Sequence, residues 1–175
     1  MRQMTVLRNQ PGFSAIELLI VVAVILALAA IAIPNLLRSK IAANESSAVS
    51  TVRQISTAEI SYHITYSSVG YAPDLPSLGG PASGCVISQA TACILDNVIS
   101  SGNKNGYQFF AAGFGSGAGT INTQFVASSA PQVFDKSGIR NFCVATDDGA
   151  LRVNPGAPGL PPAPDVSTCL AYSIL

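Results

Sequence analysis

Charge is scarce in this sequence. Of 175 residues only 10% are Asp, Glu, Lys or Arg, the formal net charge is zero, and there is one histidine, His63. The lysines and arginines are scattered instead of forming a run, which leaves no electrostatic footprint of a nucleic-acid groove, and no specific nucleic acid is expected as a partner. A lone imidazole with no second histidine and no nearby thiol makes a poor metal site, so His63 is expected to be an ordinary packed or solvent-facing residue. No Ser-His-Asp set stands out beyond chance, and no carboxylates gather around a recognisable pocket. The glycine-rich stretch GFGSGAGT lacks the Gly-Lys-Ser/Thr of a phosphate loop and any Rossmann spacing, so turn chemistry is expected there. With no catalytic constellation, no metal and no cofactor expected, the chain reads as a non-enzyme.

What the sequence does have is one membrane-grade apolar run. Sixteen consecutive apolar residues extend from Leu18 to Ile33, and Phe13, Ala15 and Ile16 continue the character on the near side of a single carboxylate, Glu17. At about 1.5 Å per residue a helix from Phe13 to Ile33 reaches roughly 30 Å, the thickness of a bilayer hydrocarbon core. A carboxylate there costs on the order of 3 kcal/mol on insertion scales, so Glu17 calls for a partner. Arg2 and Arg8 precede the run, which keeps the leader cytoplasmic and exports the remainder. An ordinary secretory signal is the competing reading, since Ala27-Leu28-Ala29 and Ala30-Ile31-Ala32 have small-residue cleavage character. Against it stand Glu17 at the head of the run and a helical pattern that continues beyond Pro34.

The segment GFSAIELLIVVAVILALAAIAIPN resembles the N-terminus of type IV pilins and of the related pseudopilins of type II secretion. The likeness joins a short basic leader, Gly12 then Phe13 at a processing junction, Glu17 five residues into the mature chain, and Pro34 at its twenty-second position. Ser14-Ala15 departs slightly from the Thr-Leu that is common in the family. The resemblance implies cleavage after Gly12 by a prepilin peptidase that also methylates the new amine of Phe13, and storage as a single-pass inner-membrane protein with a periplasmic head. It further implies polymerisation, by the pilus assembly machinery, into a helical filament of identical subunits, a surface pilus for adhesion or motility. Glu17 of one subunit would meet the amine of another in the filament core, and the helix around Pro34 would loosen on packing. A type II secretion pseudopilin is the close alternative, and a membrane-tethered periplasmic binding domain is a further one.

The implied fold is α+β: a long helix, half transmembrane and half amphipathic, packed on a small antiparallel sheet. Four segments follow: a leader at 1–12, a membrane or fibre-core helix at 13–34, an amphipathic half at 35–66, and a head at 67–175. Loss of the leader leaves seven basic against nine acidic residues. After Pro34 a stripe of Leu37, Ile41, Ala48, Val52, Ile55, Ala58, Tyr62 and Tyr66 recurs at helical spacing, with Arg38, Lys40, Asn44, Glu45, Ser50, Arg53, Gln54 and Glu59 expected on the polar side. Ser67, Ser68 and Gly70 should stop the helix. The piece SQATACILDNVIS, with Ala90, Ile94, Val98 and Ile99, predicts a helix of two or three turns capped by Ser88 and ended by Gly102.

Tyr107 to Ala112 and Thr123 to Ala127 predict strands, and GIRNFCVATDDGALRV predicts two more joined through Asp148-Gly149. This last stretch resembles the closing strands of many pilins, carried here by Gly138, Arg140, Phe142, Val144, Gly149, Leu151 and Arg152. Asp147 and Asp148 are acidic enough to ligate calcium in principle, but a solvated turn is the expectation. The proline-rich tail should run extended over the surface and return to the head at Cys169. Four cysteines, Cys85, Cys93, Cys143 and Cys169, lie in the exported part and allow three connectivities, of which Cys85 with Cys93 and Cys143 with Cys169 is the expected one.

Overall fold

The computed structural model describes residues 12–115 and 121–175. The leader apart from Gly12, and residues 116–120 of the glycine-rich stretch, lie outside the described residues. The chain divides into two units, Met1–Arg38 and Ser39–Leu175. The first is the apolar part of helix α1 (Ala15–Thr65), in which every described residue is solvent-facing except the partly covered Ala29.

The second unit is the head, and it has the expected α+β architecture. The remainder of α1 packs on one face of a six-stranded antiparallel sheet whose spatial order follows the sequence: β1 (Asn103–Lys104), β2 (Tyr107–Phe114), β3 (Gln124–Pro131), β4 (Asn141–Ala145), β5 (Arg152–Asn154) and β6 (Ser173–Ile174). Side chains alternate across each strand, so each contributes to two different layers. Tyr107, Phe109 and Ala111 of β2, Phe125 and Ala127 of β3, and Phe142 and Val144 of β4 join Ala48, Val52, Ile55, Ala58 and Tyr62 of α1 in the main core. Val126 of β3 and Cys143 and Ala145 of β4 face the other way, into a second cluster with Ala163, Cys169 and Tyr172 of the tail.

The tail therefore does more than cross the surface. Its proline-rich part lies over the outer face of the central strands, where Ser128 donates to the Ala163 carbonyl (2.8 Å) and Asn141 to that of Pro161 (3.1 Å). It then forms α4 (Val166–Leu170), whose start is capped by Asp165 accepting from the Thr168 N–H, before β6 adds an edge to β5.

Between the helix and the sheet the sequence reading needs correction. No helix of two or three turns forms at residues 88–102. Only α3 (Asn97–Ser100) is helical, and its cap is Asp96, not Ser88. The N–H groups of Ala92, Cys93, Ile94 and Leu95 donate instead to the carbonyls of Ser77, Gly79 and Leu78 at the end of α2 (Leu75–Leu78), so they are unavailable for helical bonding. Cys93, at φ 57°, is also turned out of helical conformation. The Asp148-Gly149 connection is likewise longer than a two-residue hairpin: the last β4–β5 pair is Cys143 with Arg152. Val144 and Ala145 pair with β3 beyond that point. Asp148 organises the loop by accepting from the Ala150 N–H and forming an ion pair with Arg152.

The structure joins Cys85 to Cys93 and Cys143 to Cys169. The first closes the loop after α2, and the second ties α4 to β4 within the outer cluster. Peptide mapping without reduction is expected to recover these two pairs. The Cys85→Ser/Cys93→Ser chain is expected to unfold with a stability lower by about 2 kcal/mol, the scale for a short closed loop.

Candidate functional site

The apolar half of α1 begins with a cap built from the residues that carry the resemblance. Gly12, Phe13 and Ser14 precede the helix, and Phe13 is 85% exposed. The backbone N–H of Ser14 donates to Oε2 of Glu17 at 3.0 Å, while the Ser14 carbonyl accepts from Leu18 at 3.3 Å. Ser-x-x-Glu ahead of an apolar run is the capping-box signature, and it places the carboxylate at the positive end of the helix. Sequence reasoning missed this, treating Ser14 only as a small departure from the family pattern. Glu17 therefore has a local partner even in an isolated subunit.

The side chains that follow have none. Leu18, Leu19, Ile20, Val21, Val22, Val24, Ile25, Leu26, Leu28, Ile31 and Ile33 are all exposed, and the helix is long and apolar enough to cross a membrane. Pro34 lies inside α1, where it withholds one helical N–H. A run of this length cannot stay in water, so it needs lipid or other copies of itself as solvent.

Comparison with known proteins decides the family. The chain is 33% identical over 129 residues to the type IV wide pilus major component PilA4 of Thermus thermophilus, a match covering 72% of this chain and 98% of that protein. The chain belongs to the type IV pilin family. No family model matches it, and no solved structure does.

In the head of this pilin two carboxylates sit where the sequence reading expected solvent. Glu45 and Glu59 share the buried stripe with Ala48, Val52, Ile55 and Tyr62, and are 6% and 0% exposed. Glu45 is fully engaged. Its Oε1 accepts from the N–H groups of Ile139 (3.0 Å) and Arg140 (3.1 Å), and its Oε2 from the Arg140 guanidinium at 2.7 Å. Burial alone would push its pKa up, but the Arg140 side chain and those two backbone donors outweigh it, so the pKa lies below the usual value. This bridge gives Arg140, just ahead of β4, its role. Tyr107 donates to the Arg140 carbonyl at 3.0 Å, and a Cβ at Gly138 would overlap the Tyr107 ring.

Glu59 is in the opposite condition. Its Oε2 accepts from the Ala72 N–H at 2.8 Å, while Oε1 is buried without a partner. Burial dominates and, with the nearby Asp74 charge, raises the pKa to about 8 against the pull of the Ala72 N–H. One turn on, His63 stacks on Tyr71 at 4.6 Å and holds a buried Nδ1 that also lacks a partner. The carboxyl and the imidazole thus fasten residues 71–72 to the helix.

Asp147 accepts from Gln124 at 3.1 Å and Asp148 is held by Arg152, so the two carboxylates serve separate protein partners. Among the described residues no group of three or more His, Cys, Asp or Glu is arranged to hold a metal ion.

Proposed function

We propose that this pilin is the repeating subunit of a surface filament, stored before assembly as a single-pass membrane protein with its head outside the cytoplasm. The observation that carries the reading is the exposed apolar half of α1 beginning at a capped carboxylate. Lipid covers that surface before assembly and the same surface of neighbouring subunits covers it afterwards. Leader removal between Gly12 and Phe13 frees an amine one residue before the N–H that Glu17 already binds. In the filament the amine of one subunit and Glu17 of another then form a buried opposite-charge pair that selects the axial register. Methylation of Phe13 keeps the amine cationic. The reading makes the chain a structural subunit and not an enzyme, partnered by a prepilin peptidase and the assembly machinery. The likeness to a pilus major component favours a surface fibre over a secretion pseudopilin.

The test is direct. Mass spectrometry of sheared surface fibres is expected to find this chain as their main component, beginning at N-methyl-Phe13. Gly12→Val is expected to leave the precursor uncut, because a branched side chain blocks the peptidase while nothing among the described residues crowds Gly12. Exported protein beginning at Ile31 or Ile33, or absence of the chain from fibres, would reject the reading.

A further inference from the structure

We propose that the head carries a headgroup site for anionic phospholipid, formed by Lys40 and Lys136. A cleft of about 410 Å³ is lined by Lys40, Asn44, Asn105, Gly106, Val133, Lys136 and Ser137. Its lining holds two cations and no acid, in a chain whose mature charge balance is acidic. Both lysines are exposed, and neither is among the ion pairs formed by the described residues. The nearest carboxylate on the helix, Glu45, is already occupied by Arg140.

The placement of the lysines is built in. Lys40 and Asn44 lie one helical turn apart, on the same face. The Asn44 side chain donates to the Ser137 carbonyl at 2.8 Å, which holds the 133–138 loop, and Lys136 with it, beside that face. The loop is closed again by Ser137, which donates to the Val133 carbonyl at 3.0 Å and accepts from the Val133 N–H at 3.1 Å.

The position along the chain names the occupant. Only five residues of chain separate Lys40 from Pro34, so in a subunit whose apolar run fills the hydrocarbon the chain reaches Lys40 close to headgroup level. Two lysines lining one cleft there suit a phosphate diester, and the attraction of such lysines to an anionic leaflet is the ordinary electrostatics of a membrane surface. The site would hold the head against the bilayer until extraction into a fibre.

The inference rests on membrane storage of the subunit, and the experiment separates the two. The full chain is reconstituted in phosphatidylcholine vesicles with or without phosphatidylglycerol, and amine-reactive labelling of Lys40 and Lys136 is read by peptide mass spectrometry. Labelling of both is expected to fall about tenfold when phosphatidylglycerol is present. The Lys40→Gln/Lys136→Gln chain is expected to insert equally well and to retain correspondingly less phosphatidylglycerol on purification. Equal labelling in both membranes overturns the site, as does protection in phosphatidylcholine alone, which would mean that a neighbouring copy fills the cleft. A chain that associates with neither vesicle overturns membrane storage itself and the site with it.

Discussion

A Glu17→Gln chain is expected to enter the membrane at least as well as wild type, to be processed, and yet to form few or no filaments. Glutamine keeps the capping box, since its side-chain oxygen also accepts from the Ser14 N–H that now binds Glu17. It removes only the charge. In the isolated subunit that charge costs insertion energy, on the order of 3 kcal/mol at the centre of a span and less near its end, so its loss does not impair storage. In the assembled core the Phe13 amine of a neighbour would be left unpaired in an apolar setting, at several kcal/mol per subunit repeated along the fibre. Membrane fractionation, N-terminal mass spectrometry and electron microscopy of sheared material separate these steps. The companion Glu17→Ala loses cap and charge together. Should Glu17→Gln assemble fibres as long and abundant as wild type while Glu17→Ala does not, helix capping and not charge pairing is the function of this residue.

The second large effect is a pH dependence located at Glu59. A carboxyl with a pKa of 4.5 when unfolded and about 8 when folded binds its proton more tightly in the native state. Its contribution to stability is complete below the unfolded value and is lost as pH rises from there through the folded value. Between about pH 5 and pH 8 the loss is on the order of 3 kcal/mol. Carboxylates with lowered pKa, such as Glu45, act in the opposite direction but at more acidic pH, so the two windows separate. Denaturant unfolding of the detergent-solubilised chain across this range is expected to show the slope in wild type and a much flatter profile in Glu59→Gln. An equal slope in the variant would assign the effect elsewhere.

Both effects arise on α1, and they differ in how legible they were. The long apolar helix with its carboxylate and the α+β class could be read from the residues, because each depends on composition or short-range spacing. An apolar run of this length needs lipid or copies of itself whatever the head does, and strands rich in aromatic and β-branched residues pair locally in a meander whose order follows the chain. The capping partner of Glu17 was also local, three residues away at Ser14, and its signature was overlooked, not hidden.

The roles of Glu45 and Glu59 were a different matter. Spacing alone places both on the stripe with Ala48, Val52, Ile55 and Tyr62, yet carboxylates there are expected to turn to solvent unless partners await them. Those partners are the Arg140 guanidinium and the backbone N–H groups of Ile139 and Arg140 for Glu45, and the Ala72 N–H for Glu59. Residues 88–95 likewise gave up helix because carbonyls at the end of α2 captured their N–H groups. The sequence by itself determined the long apolar helix and the α+β class. Only the tertiary structure decided which polar groups are buried and whether they stay charged, because a buried carboxylate is stabilised or neutralised by donors that distant parts of the chain bring to it.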